Sequence, residues 1–236
     1  RFPLKELKKI RERIGDREFE ALYQQNPYVL GGNIIKTSWF KRYTPETCPT
    51  EFHAIVIGLD TAFKTKSWND FSVITVAGIT ELGDIYILKV YREKLEYPDL
   101  KRKLVNINSV WRGRGLRGWY VEDAASGQSL IQDMRHGSSL TILPWKPGTN
   151  DKTNRCTSIT PIIEGGRVFI PEEADWLDNW ETELSQFPSG KHDDQVDSLV
   201  IVIDVASKMV VTGEKFFNES IGNYIVSPDF KGDLMF

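Results

Sequence analysis

The sequence is short of the residues from which several common sites are built. Its 236 positions include two cysteines, Cys48 and Cys156, and no secretory signal pattern, which fits a reducing, soluble setting and excludes a disulfide framework. Nothing in the sequence supports a bridge between the two. Three histidines argue against a zinc-type centre. There is no Gly-x-x-x-x-Gly-Lys-Ser/Thr cradle for phosphates, so ATP hydrolysis is not expected of these residues. No apolar run is long enough to span a bilayer, and there are no internal repeats or low-complexity tracts. Positive charge is in short supply as well: 30 Lys and Arg against 33 Asp and Glu leave a net charge of −3. That is the wrong overall sign for neutralising phosphates, so any contact with nucleic acid must rest on local clusters.

What the sequence does carry is acid in costly places. Residues 191–203 put Asp193, Asp194 and Asp197 into the first turns of an otherwise apolar helix. Asp194 and Asp197 are neighbours at i, i+3, and Asp193 and Asp197 at i, i+4, so like charges face each other. Something positive should sit between them, either a basic side chain or one of the hard divalent ions, Mg²⁺ or Mn²⁺, that select oxygen ligands. An acidic helix start is also favourable by itself at the positive end of the macrodipole. Two strand-like runs add to the set. Residues 53–60 are β-branched and apolar and end in Asp60, and residues 117–123 end in Glu122 and Asp123. An acid at the end of a buried strand is expensive unless something binds it.

With 40% hydrophobic residues, the chain is long enough for one full core, and the prior is one domain with appendages. Residues 4–14 read as a charged helix with Leu4, Leu7 and Ile10 on one side, and Asp16 is placed to cap a second helix over 17–25 that Pro27 ends. Residues 71–79 and 84–91 read as a hairpin around Gly83, after the strand at 53–60, giving three antiparallel strands. A helix over 98–110, the Gly-rich basic connection 112–118, a strand ending at Glu122, a helix over 126–135, a strand at 140–144 and a helix over 152–164 follow. The strand-like 168–170 and a helix over 174–187 read as an insertion before the acidic helix. The order β-β-β-α-β-α-β-α is that of a mixed sheet with helices on its faces. The tail after residue 208 has no clear period, and its Phe216, Phe217, Tyr224, Phe230 and Phe236 are expected to pack back onto the domain.

Five motifs in this order span roughly residues 18–205: Tyr23-Gln24-Gln25-Asn26-Pro27, Gly58-Leu59-Asp60-Thr61-Ala62, Val121-Glu122-Asp123-Ala124-Ala125-Ser126-Gly127-Gln128-Ser129-Leu130, Gly165-Gly166-Arg167-Val168-Phe169-Ile170-Pro171, and Phe187-Pro188-Ser189-Gly190-Lys191-His192-Asp193-Asp194-Gln195-Val196-Asp197. Together they resemble the ribonuclease H-like nuclease superfamily and, within it, the C-terminal nuclease domain of tailed-phage terminase large subunits, which cuts concatemeric DNA during packaging into the capsid. The resemblance implies an α/β fold: a mixed five-stranded sheet, three antiparallel strands then parallel ones, with helices on both faces. It also implies linker helices from a preceding ATPase domain over 1–45, the nuclease domain over 46–212 and a C-terminal tail over 213–236.

For the site, the resemblance implies Asp60, Glu122, Asp194 and Asp197 as catalytic residues and metal ligands, Asp60 bridging, with Asp123 a further candidate ligand. Two Mg²⁺ or Mn²⁺ ions roughly 3.5–4 Å apart would clamp the scissile phosphate. Alternation puts Glu122 and Asp123 on opposite strand faces; Glu122 is preferred because the family places its acid directly after the apolar triplet, here Trp119, Tyr120 and Val121. A regular helix would set Asp193 and Asp197 beside the apolar stripe and turn Asp194 away, whereas the family spacing Asp-x-x-Asp selects Asp194 and Asp197, with Asp193 in reserve. His192 reads either as a donor behind the ligands or as a solvent-facing histidine.

Candidate DNA contacts are Lys64 and Lys66 after Asp60, Arg112, Arg114 and Arg117 in the Gly-rich connection, and Lys146, Lys152 and Arg155 after the fifth strand, each group expected to flank the acids. Such groups read backbone shape and charge, so low sequence specificity is expected. Trp68 and Trp145 are placed either to stack on a base or to pack in the core. The implied partners are double-stranded DNA, the ATPase domain of the same polypeptide, the portal and the small terminase subunit, in the host cytoplasm and away from membranes. Two other readings are a resolvase or transposase of the same superfamily, against which the Tyr23 to Pro27 segment argues, and a non-catalytic docking module, against which the intact acids argue.

Overall fold

Aliphatic residues run unbroken through 54–57, and only Gly58 separates them from Leu59, as in a strand covered on both faces. This strand lies in the interior of the sheet. The computed structural model describes residues 3–23, 34–61, 71–123 and 125–212. In chain order these form α1 (Leu4–Tyr23), β1 (Lys41–Tyr43), β2 (Ala54–Asp60), β3 (Ser72–Ile79), β4 (Ile85–Glu93), α2 (Tyr97–Arg112), β5 (Leu116–Glu122), α3 (Ala125–Gly137), β6 (Ile142–Trp145), α4 (Lys152–Glu164), β7 (Val168–Pro171), α5 (Leu177–Gln186) and α6 (Asp194–Thr212).

The strands join one seven-stranded mixed sheet in the order β1-β7-β4-β3-β2-β5-β6. β2, β3 and β4 pair antiparallel, β5 lies parallel to β2 and β6 to β5, and β7 and β1 extend the β4 edge in parallel. The expected count of five strands is therefore corrected to seven. Residues 168–170, read as part of an insertion, are a sheet strand, and β1 has no apolar alternation by which to be found, since Lys41 and Arg42 are exposed. β1 falls in the segment expected to be a linker, and Ile34, Ile35 and Phe40 are buried in the same core as α6. α1 is broken at Gly15 (φ 82°), where the two expected N-terminal helices meet. Pro27, Lys64, Lys66, Trp68 and the tail aromatics from Phe216 onward lie outside the described residues.

Alternation along the strands sorts the core into two layers. Ile55, Ile57 and Leu59 of β2 with Trp119 and Val121 of β5 face α2 and α3, burying Leu100, Leu104, Leu130 and Ile131. Ala54 and Val56 face the other way, onto α4, α5 and α6, with Cys156, Ile159, Trp180, Leu199 and Val202. Both cysteines are free thiols. Among the described residues, no helix is long and apolar enough to cross a membrane.

α6 crosses β2 at Gly58, where a Cβ would fall 2.8 Å from the Ser198 carbonyl oxygen and 2.8 Å from Val202 Cγ1. Only glycine allows helix and strand backbones to meet this closely. The buried hydroxyls of Thr75 and Ser198, 2.8 Å apart, tie the same helix turn to β3. Gly58→Ala is expected to cost about 1–3 kcal/mol, the usual scale of overpacking, read as a lower urea midpoint. An unchanged midpoint would show that α6 has room to move outward.

Candidate active site

Three elements bring the four acids to the site: β2, β5 and α6. In the parallel β2–β5 register Leu59 pairs with Val121, so Asp60 and Glu122 are the next residues at the same end of adjacent strands. Asp60 has the parity of Val56, which faces α6, and Glu122 that of Tyr120, which packs against the same layer. Asp123 is turned to α3: its backbone N–H donates to the Trp145 carbonyl at 2.8 Å, and its carboxylate accepts from Gln128 Nε2 at 3.0 Å. α3 begins hard against this strand end, since a Cβ at Gly127 would fall 2.0 Å from the Glu122 carbonyl oxygen.

The start of α6 lies over these two strand ends. Asp193 precedes the helix and accepts the Asp197 backbone N–H at 3.0 Å. The N–H of Gln195, which has no acceptor within the first turn, donates to Glu183 Oε1 at 2.7 Å, while Gln195 Nε2 donates to Glu183 Oε2 at 2.8 Å and to Asn179 Oδ1 at 3.1 Å. Glu183 lies on α5 between the buried Trp180 and Leu184 and is itself buried. Arg92 of β4 stands 3.4 Å from it and lies over the Phe71 ring at 3.6 Å. Neither Glu183 nor Arg92 was a candidate on sequence. The available signal was a carboxylate on the apolar stripe of an amphipathic helix, where an acid persists only if it is paired.

The carboxylates repel one another. Burial, then Asp197 and Asp194, with Glu122 adding and Lys152 opposing, holds the Asp60 carboxyl well above the ordinary range. Asp197 is pushed up to about 6 by burial, against the pull of its bond to Lys152. Asp194 is raised by burial and by Glu183 and Asp193, with Arg92 and His192 opposing. His192 is partly exposed, its Nδ1 3.9 Å from Asp194 Oδ2 and its ring edge-on to Phe71.

Cations meet the acids from the other side. Lys152 Nζ lies 2.9 Å from Asp193 Oδ2 and 2.5 Å from Asp197 Oδ2, and Arg155 Nη1 lies 2.9 Å from Glu122 Oε1. Lys146 follows Trp145, which pairs with Glu122 across β5 and β6. Trp145 itself is core, buried and donating its indole N–H to Asp204 at 2.6 Å. The expectation that Arg112, Arg114 and Arg117 also flank the acids is corrected. β5 runs from Leu116 toward Glu122, so the connection before it belongs to the opposite end of the sheet, about 20 Å away over seven residues. Arg117 there donates to the His53 carbonyl at 3.4 Å.

Among the described residues, no three of His, Cys, Asp or Glu converge on one point as placed; lysine and arginine stand among the acids. The donor set is nonetheless all carboxylate oxygen, half-buried or buried and self-repelling. That chemistry fits a hard divalent cation such as Mg²⁺ or Mn²⁺.

A mixed sheet with antiparallel β2, β3 and β4, parallel β5 and β6, and acids at the ends of β2 and β5 beneath an acidic helix start is a nuclease-type ribonuclease H-like fold. The family model described as the terminase RNaseH-like domain matches residues 57–204, more than half of the sequence, and the chain belongs to that family. No curated protein matches the chain. Among solved structures, it is similar to the large terminase of the thermophilic bacteriophage D6E in complex with ADP, at 13% identity and a TM-score of 0.65, covering 90% of this chain and 53% of that one. This chain thus spans about half the length of that protein. It is also similar to the large terminase nuclease of the thermophilic phage G20c, solved with bound magnesium (17% identity, TM-score 0.53, 75% of this chain and 98% of that one) and with bound zinc (18% identity, TM-score 0.53, 71% and 94%).

The Glu183 contacts give the site a testable support. Glu183→Ala strands the Gln195 N–H and leaves the largely buried Arg92 unpaired, which should cost about 3–5 kcal/mol by urea denaturation. Glu183→Gln keeps the shape and part of the bonding and should cost clearly less. Equal, small losses in both would mean that this carboxylate does not hold α6.

Proposed function

We propose that the chain is the nuclease part of a terminase large subunit, a metal-dependent endodeoxyribonuclease that cuts concatemeric double-stranded DNA during genome packaging with low sequence specificity. One observation carries the reading: Asp60 and Glu122 stand at the same end of adjacent strands, and Asp194 and Asp197 in the first turn of α6 act on the Asp60 charge, in a chain of the terminase RNaseH-like family. Two Mg²⁺ or Mn²⁺ ions held by these four residues would lower the pKa of the attacking water and stabilise the leaving 3′-oxygen.

The residues of the chain have the remaining work. Asp60, whose charge feels Glu122, Asp194 and Asp197 alike, would be the shared ligand, and the Glu183 contacts would hold the Asp194 turn in place while charge develops. Lys146, Lys152 and Arg155 form a positive flank beside the acids, suited to a phosphate backbone and indifferent to base edges. Contact at Arg112, Arg114 and Arg117 would require DNA at the far end of the sheet, and Lys64 and Lys66 stand four and six positions after Asp60 in sequence. The ATPase domain of the same polypeptide, the portal and the small terminase subunit are the proposed partners, in the host cytoplasm.

The chain should nick or linearise plasmid DNA with Mg²⁺ or Mn²⁺ and be silent in EDTA. Asp60→Asn should abolish cleavage with the melting temperature unchanged or raised, because it removes repulsion at constant volume. Glu122→Gln, Asp194→Asn and Asp197→Asn should each fall by about a hundredfold or more, the scale of losing an essential charge-stabilising group. Cleavage that persists in excess chelator would overturn the reading.

A further inference from the structure

Lys152 stands in an unfavourable place for a lysine. It is the first residue of α4, directly after the N-cap Asp151, whose carboxylate accepts the Asn154 N–H at 2.8 Å. A cation in a helix's first turn sits at the positive end of the macrodipole, so its position needs another cause. The cause is the facing helix start: its ammonium lies on Asp193 and Asp197 together. Arg155, one turn on and on the same face of α4, pairs with Glu122 while its side chain is only 11% exposed, and its Nε has no hydrogen-bond partner among the described residues. The two cations of α4 thus hold the acids of α6 and β5 respectively.

We propose that Lys152 is a displaceable counter-ion that competes with divalent metal for Asp197. The ammonium occupies Asp197 Oδ2, repels a second cation there, and relieves the same repulsion around Asp60 and Asp197 that a divalent ion would. Repulsion from the ion would therefore weaken the ammonium's hold on Asp197 and favour its swing toward solvent, where α4 leaves it half exposed. The lysine stabilises the acidic cluster without metal and sets a threshold on metal binding. This inference rests on the nuclease reading, and its test separates the two.

Mn²⁺ binding to the chain without DNA is measured by electron paramagnetic resonance of free Mn²⁺, for the parent, Asp60→Asn and Lys152→Met. The parent should bind, Asp60→Asn should lose binding, and Lys152→Met should bind about tenfold or more tighter, within the usual range of coupling between two ligands. In parallel, brief acetylation of the parent protein followed by mass spectrometry should show Lys152 reacting faster when Mg²⁺ is added, a readout that needs no substitution and survives any failure of the variant to fold. Equal or weaker Mn²⁺ binding by folded Lys152→Met, or labelling of Lys152 that ignores Mg²⁺, overturns the competition while leaving the nuclease reading standing. A parent chain that binds no Mn²⁺, or binds it equally well as Asp60→Asn, overturns the nuclease reading and the competition with it.

Discussion

The contact between α6 and β2 at Gly58 is the constraint from which the site follows. A helix lying on a sheet is normally held off by the side chains between them, and here that spacing is removed at one residue. α6 therefore lies low enough for Asp194 and Asp197, in its first turn, to come within electrostatic range of Asp60, two residues along β2 from the crossing. The strand supplies one acid and the helix two, and the absent side chain sets them within reach of one another's charge. Ser198 is bonded to Thr75 at the same crossing, so sliding or rotation of α6 would break a buried polar pair as well as packing.

Crowding carboxylates in this way is costly, and the surrounding elements show how the cost is met. On one side Glu183 accepts the free N–H at the helix start and is paired with Arg92. On the other, α4 presents Lys152 and Arg155. The chain as a whole is slightly acidic, yet the charge around the site is mixed and ordered, with acids at the centre and bases on the flanks. Net charge thus says little about how such a protein meets a polyanion; the arrangement within about one Debye length of the acids decides it.

Much of this was legible in the residues. An apolar strand ending in Asp60, a second ending in Glu122 and Asp123, and an apolar helix beginning with acids are local patterns, and the structure has them as β2, β5 and α6. The requirement that something positive lie between Asp193 and Asp197 also followed from helix geometry, and the structure has Lys152 there. What could not be read was set by pairing at long range. β1 has three residues and no alternation, so only its neighbour β7 makes it a strand. Glu183 and Arg92 meet across more than ninety residues of sequence, and a single acid on an amphipathic helix gives no partner's name. The Gly-rich basic connection looked close to the acids because it lies near Glu122 in sequence, but a strand separates its two ends by its whole length.

The borders of the sheet have a consequence for how the molecule behaves among its own copies. One border is β1, three residues long with exposed Lys41 and Arg42, and the other is β6, four residues long with Pro144 within it. A short charged border and a proline that cannot donate are the two commonest ways by which natural sheets refuse an additional strand. Seven strands with long apolar interiors would otherwise be a template for endless lateral growth. Among the described residues, both borders of this sheet thus discourage the addition of a further strand.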